Sequence, residues 1–133
     1  MKNAWGLDTM CSCHLTPHKD AFIGKIKYRR VPIEVANGET IYSAGKGDVR
    51  IFWKTSKSSE HINSTIIRDV LYVPKSSISL ISLGMLAEKG VTWTCDDTQM
   101  SLFKNGDIIL RGIQSDRVYS LCSPVETANS SLS

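Results

Sequence analysis

Apolar and polar residues alternate with a period of two along most of this chain, the pattern of strands with one buried face. Val31, Ile33 and Val35 alternate with Pro32, Glu34 and Ala36, and the run stops at Asn37-Gly38, a pair suited to the left-handed backbone of a tight hairpin. A second strand follows over 40–44, then Gly45-Lys46-Gly47, then Val49, Ile51 and Trp53 alternating with Asp48, Arg50 and Phe52. Residues 56–63 are polar and read as a loop. Residues 65–73 are rich in β-branched side chains and stop at Pro74, whose missing amide donor ends a ladder. Only 82–89 has helical spacing, with Leu83, Leu86 and Ala87 on one face and Gly90 placed as the C-terminal cap. Strands are predicted again over 91–95, 100–104, 108–110 and 118–121, the second and third of these joined by Asn105-Gly106. Many short strands, turn glycines and one short helix predict an all-β domain over 1–122, a small barrel or sandwich, with a polar, frayed tail at 123–133.

Composition narrows the class. A chain of 133 residues with 41% hydrophobic content has room for one core, which excludes a two-domain enzyme. Normal apolar content and a net charge of +3 exclude a disordered chain. The longest apolar-leaning run, 78–87, is about half of what a membrane span needs, so no membrane partner is expected. The first residues lack the apolar core of a signal peptide, and the four cysteines read as reduced thiols of a cytoplasmic or nuclear protein. Lys25-Ile26-Lys27-Tyr28-Arg29-Arg30 is the one dense basic segment. It reads as a solvated strand or loop, with a nucleic-acid contact as the sharper alternative.

The segment Trp5-Gly6-Leu7-Asp8-Thr9-Met10-Cys11-Ser12-Cys13-His14-Leu15-Thr16 concentrates the chemistry, and three readings of it compete. Cys11, Cys13, His14 and His18 are zinc-type ligands, yet a Cys-x-Cys-His run lacks the gaps of ordinary structural sites, so no metal and no cofactor is expected. A Cys–His nucleophile lacks any local signature. The third reading is half of an aspartic dyad, in which an Asp at a strand end followed by Thr meets a second copy of itself. Two carboxylates that close share one proton, so one serves as base on a water and the other as acid toward the scissile carbonyl.

The third reading draws on a resemblance that runs from residue 5 to residue 121. The sequence resembles the protease region of Copia-type LTR-retrotransposon Gag-Pol polyproteins, which reads W-x-x-D-[ST]-[GA]-[AC]-[ST]-x-H-[MIL]-[ST]. Trp5, Asp8, Thr9, Cys11, Ser12, His14, Leu15 and Thr16 match it. Val35-Ala36-Asn37-Gly38, residues 44–49, Asp69-Val70-Leu71-Tyr72-Val73-Pro74, residues 80–86 and Val118-Tyr119-Ser120-Leu121 resemble later blocks in family order. The resemblance implies a closed, retropepsin-like barrel and a homodimeric aspartic endopeptidase cleaving a Gag-Pol-like polyprotein, in the cytoplasm, the nucleus or a virus-like particle. It implies Asp8 as the catalytic carboxylate, Thr9 as the hydroxyl that locks the dyad, and Gly45, Lys46 and Gly47 as the tip of a substrate-covering flap. His14 belongs to the pattern and is expected to be structural. Met10 departs from it: a bulky side chain replaces Gly or Ala beside Asp8, which implies impaired catalysis. The alternative is then an inactive protease-like domain that dimerises or binds peptides.

Overall fold

Residues that alternate in burial build this chain almost entirely from strands. The computed structural model describes residues 4–116 and 118–123. In order they form β1 (Trp5–Asp8), β2 (His14–Thr16), a 3-10 turn (Lys19–Ala21), β3 (Phe22–Tyr28), β4 (Pro32–Glu34), β5 (Thr40–Tyr42), β6 (Gly45–Trp53) and β7 (Asn63–Tyr72). Then come β8 (Ser79–Ser82), the helix α1 (Leu83–Glu88), β9 (Thr92–Cys95), β10 (Gln99–Lys104), β11 (Asp107–Ser115) and β12 (Val118–Leu121). The all-β reading with one short helix is correct, and α1 has the expected ends. The Ser82 hydroxyl accepts the Met85 N–H at its N-terminus, and Gly90 takes φ +86° just beyond its C-terminus. Of the expected frayed tail over 123–133, Ser123 is described and is buried, and residues 124–133 lie outside the described residues.

Ten strands form one sheet in the order β3-β6-β7-β2-β8-β1-β12-β11-β10-β9, and β4 and β5 form a separate hairpin. The expectation of a closed barrel needs correction, because among the described residues no ladder joins β3 to β9, the two ends of the sheet. Instead the sheet curls until its β6–β7 part lies against β11 and the end of β12, and isolated bonds rather than a ladder bridge the gap. Trp53 Nε1 donates to Thr65 Oγ1 at 2.9 Å, the Thr65 hydroxyl donates to the Ile109 carbonyl, and the Lys54 N–H donates to the Cys122 carbonyl at 2.8 Å. Val49, Ile51, Trp53, Ile67, Val70, Leu102 and Leu110, all buried, fill the space between. The β3 edge cannot complete a barrel ladder: its register slips between Ile23 and Lys27 and it carries exposed Lys25 and Lys27, features that blunt an edge.

Near β8 the chain crosses itself in a way local pattern does not reveal. β8 lies between β1 and β2, parallel to the first (Asp8 opposite Ser82) and antiparallel to the second (Leu15 opposite Leu80). The 9–13 loop joining β1 to β2 therefore passes around the end of β8, where α1 begins. A second core of Leu15, Leu71 and Val73 receives Val31, Ile33 and Ile41, and so holds the β4–β5 hairpin against the sheet. Ser43 fixes its base by accepting the Val31 N–H at 2.8 Å and donating to the Arg29 carbonyl at 2.6 Å.

Gly45-Lys46-Gly47 is not a turn. It opens β6 and is paired on both sides, with Lys27 opposite Lys46 on β3 and Leu71 opposite Lys46 on β7. The glycines are there for close packing. A Cβ on Gly45 would stand 2.3 Å from Ile26 Cγ2 and 3.0 Å from the Lys27 carbonyl oxygen. Gly45→Ala is therefore expected to lose about 1–3 kcal/mol by overpacking. Gly84→Ala, with nothing nearer than 3.7 Å on an exposed helical position, should gain a few tenths to about 1 kcal/mol. Urea titrations of the two variants check the pair; equal midpoints would refute the packing account.

Candidate active site

Asp8 is the last residue of β1, and the ladder to β8 fixes its backbone. Its carboxylate Oδ1 accepts the Met10 N–H at 2.7 Å, closing an Asx turn that starts the 9–13 loop. That turn uses the amide of residue 10 and no side chain. Met10 is also absent from the described residues with positive φ, so its backbone takes no conformation that favours glycine. The loop backbone therefore accepts methionine at position 10, and the departure from the family pattern lies in the side chain alone. That side chain is 89% exposed at the mouth of the cleft described below. Thr9 beside it is exposed as well.

The far side of the loop is clamped through Ser82. The Ser82 N–H donates to His14 Nδ1 at 2.9 Å, and its hydroxyl donates to the Cys11 carbonyl at 2.8 Å while capping α1. One buried serine thus ties together β8, the Asp8 loop, β2 and the helix. His14 is 2% exposed and burial lowers its pKa to about 4, so at neutral pH it is an uncharged acceptor at Nδ1. It is structural, as expected. Burial, together with the neighbouring Asp8 and Cys13, pushes the Cys11 thiol up to about 11, and burial also raises Cys13. Both stay protonated at neutral pH, the opposite of what a thiolate nucleophile needs. Among the described residues no three His, Cys, Asp or Glu side chains converge as metal ligands.

A cleft of about 660 Å³ opens beside Asp8. Leu15, Leu80 and Ile78 line its floor and flank, and Ile33 and Ile41 of the hairpin line its opposite wall. Asp8, Glu34, Glu39 and Lys75 supply charge around it. The hairpin tip is ordered by its own turn: the Gly38 N–H donates to the Val35 carbonyl at 2.9 Å, the Glu39 N–H donates to Asn37 Oδ1 at 2.9 Å, and Gly38 takes φ +86°.

The structure thus brings Asp8 and Met10 to the cleft but leaves Gly45, Lys46 and Gly47 out of its lining. Lys46 points instead to Asp69, 3.6 Å away. The element that stands across from Asp8 is β4–β5, which sequence reading had treated only as a hairpin. The signal was present in Val31, Ile33 and Val35 leading into Asn37-Gly38; what was missing was the knowledge that Leu71 and Val73 dock it over Asp8. Among the described residues no helix is long and apolar enough to cross a membrane. Residues 5–91, well over half of the chain and the whole of the Asp8 cleft, match the family model of the Pol polyprotein β-barrel domain. No curated protein and no solved structure matches the chain.

Proposed function

This chain belongs to the family of Pol polyprotein β-barrel domains, and on that footing we propose that it is one half of a Copia-type aspartic endopeptidase acting on a Gag-Pol-like polyprotein. The observation that carries the reading is Asp8, held at a strand end beside an apolar cleft with a hairpin across from it. The cleft suits an extended peptide, with apolar side chains against Ile33, Ile41 and Leu80 and backbone groups near Asp8. A second copy related by a two-fold axis beside Asp8 supplies the other carboxylate. The pair shares a proton; the ionised member draws a proton from water as that water attacks the scissile carbonyl, and the other protonates the carbonyl oxygen. In this reading Thr9, at the loop surface, braces the opposing loop, and β4–β5 takes the covering role first given to Gly45-Lys46-Gly47.

Met10 favours a second reading, a protease-like module that dimerises or binds peptides without cleaving them. In a symmetric pair, two side chains as exposed as this one meet at the centre where the water must sit.

The dyad requires a dimer. Sedimentation equilibrium at high micromolar concentration is expected to show a symmetric dimer that Met10→Asp weakens by placing two further charges at the axis. A monomer throughout that range would overturn the dyad.

A further inference from the structure

The basic segment after Phe22 has no part in the cleft, yet the fold sets it beside other cations. In an antiparallel ladder, residues directly opposite share a face. Lys27 stands opposite Lys46, Arg50 opposite Ile66, and Phe52 opposite Ser64. Val49 and Ile51, between these positions, point into the core. Lys27, Lys46, Arg50, Phe52 and Ile66 therefore share the outer face of β3, β6 and β7. Arg68 joins them, bonded to Asp48 at 2.8 Å. Lys25, where the β3 register slips, and Arg29 and Arg30, which follow the strand, are exposed as well, Arg30 lying 3.8 Å over the Tyr42 ring of the hairpin.

These three strands and the two residues after β3 carry seven basic side chains against Asp48 and Asp69, a surplus of five. The whole chain has a net charge of only +3, so everything else is net negative by two. Positive charge is concentrated in this part of the fold. The outer face is also not purely ionic: Phe52 is 46% exposed and Ile66 38%, whereas Tyr28, opposite Gly45, stands on the other face. Along β6 the step from Lys46 to Phe52 is about 20 Å at strand rise.

We infer that the outer face of β3, β6 and β7 is a binding surface for single-stranded nucleic acid. Phosphates lie along Lys27, Lys46 and Arg50, and an unpaired base stacks on Phe52. Cations tracking a backbone, with an aromatic platform beside them, make the combination single strands need, and about 20 Å holds a short site of roughly four nucleotides. A second copy of the chain does not fit this face, since two surfaces with the same positive surplus repel. A base-paired duplex offers phosphates but keeps its base faces stacked away from Phe52.

The test is fluorescence anisotropy with a labelled uridine 20-mer and the full chain. About four phosphate contacts give a slope near −3 in log affinity against log salt, so affinity should fall about 50-fold between about 50 and 200 mM salt. Paired Lys27→Glu and Arg50→Glu should weaken binding at least about ten-fold and flatten that slope. Phe52→Ala should cost about ten-fold for the single strand and leave a duplex of equal length unchanged. All the altered side chains are exposed, and an unchanged thermal midpoint certifies each variant as folded. Binding within two-fold of the original in the charge-reversed variant would overturn the inference. So would equal affinity for single strand and duplex with no effect of Phe52→Ala, which would mark a surface that merely gathers polyanions. Neither outcome depends on whether the chain cleaves peptides.

Discussion

Met10→Gly is expected to raise peptide cleavage from a weak or undetectable level, and adding Asp8→Asn should remove the gain by about a thousand-fold or more. The first half follows from where the Met10 side chain sits. It is almost wholly exposed in a single chain and stands at the mouth of the Asp8 cleft. Two-fold pairing at Asp8 therefore brings two thioether chains to the place of the attacking water. They remove the space that the water needs and surround the pair of carboxylates with apolar surface. Glycine at position 10 keeps the amide that Asp8 Oδ1 accepts, so the Asx turn survives the change. The second half follows because Asn cannot take a proton from water, and general-base catalysis contributes about a hundred- to ten-thousand-fold. A peptide library at mildly acidic pH, where a dyad holding one proton is most populated, provides the assay. Vigorous Asp8-dependent cleavage by the unmodified chain would show that the dimer leaves room for Met10. No cleavage by the Gly variant, with the dimer intact, would favour the binding module.

Acid should destabilise the fold by about 3 kcal/mol through His14 alone. Folding lowers the histidine pKa from an ordinary 6.5 to about 4, because the ring is buried. The unfolded chain then binds the proton more readily than the folded one. His14's contribution is intact above about pH 6.5, declines as pH falls, and is fully lost below about pH 4. At about 1.4 kcal/mol per pH unit separating the two values, the whole loss is about 3 kcal/mol, with about 2 kcal/mol gone by pH 5. Asp69 favours the charged ring and Lys89 opposes it, both as smaller effects than burial. Urea unfolding of the original chain and of His14→Asn, from about pH 7.5 to about pH 4, isolates this contribution. Asn offers an acceptor to Ser82 but does not titrate, so its profile should be flatter by that amount. Parallel profiles would refute the assignment.

Some of this protein is written in short stretches of chain. Val49, Ile51 and Trp53 alternate with polar residues and do form one buried stripe of β6. Asn105-Gly106 does turn β10 into β11, with φ of 54° and 85°. Ser82 and Gly90 do bound α1. Each feature is set by contacts within a few residues, where side-chain period and backbone preference act directly. Asp8 was legible as a candidate by the same route, as a carboxylate at the end of an apolar strand.

The sequence by itself therefore determined the strands, their turns, the helix and the apolar faces, along with the position of Asp8 at a strand end. Tertiary structure alone decided what those pieces meet. Phe22–Tyr28 became an edge strand because β6 offers it a ladder, and Gly45 and Gly47 serve close approach because Ile26 and Phe22 lie over them. The sheet stays open because its two edges, β3 and β9, never come into register. The hairpin reaches across from Asp8 because Leu71 and Val73, some thirty residues further along the chain, give Ile33 and Ile41 a surface to bury. His14 finds its partner in Ser82, 68 residues away. Hydrophobic burial selects which faces close without recording in any local stretch which partner each will find, so cleft, clamp and charged face exist only once the chain has folded.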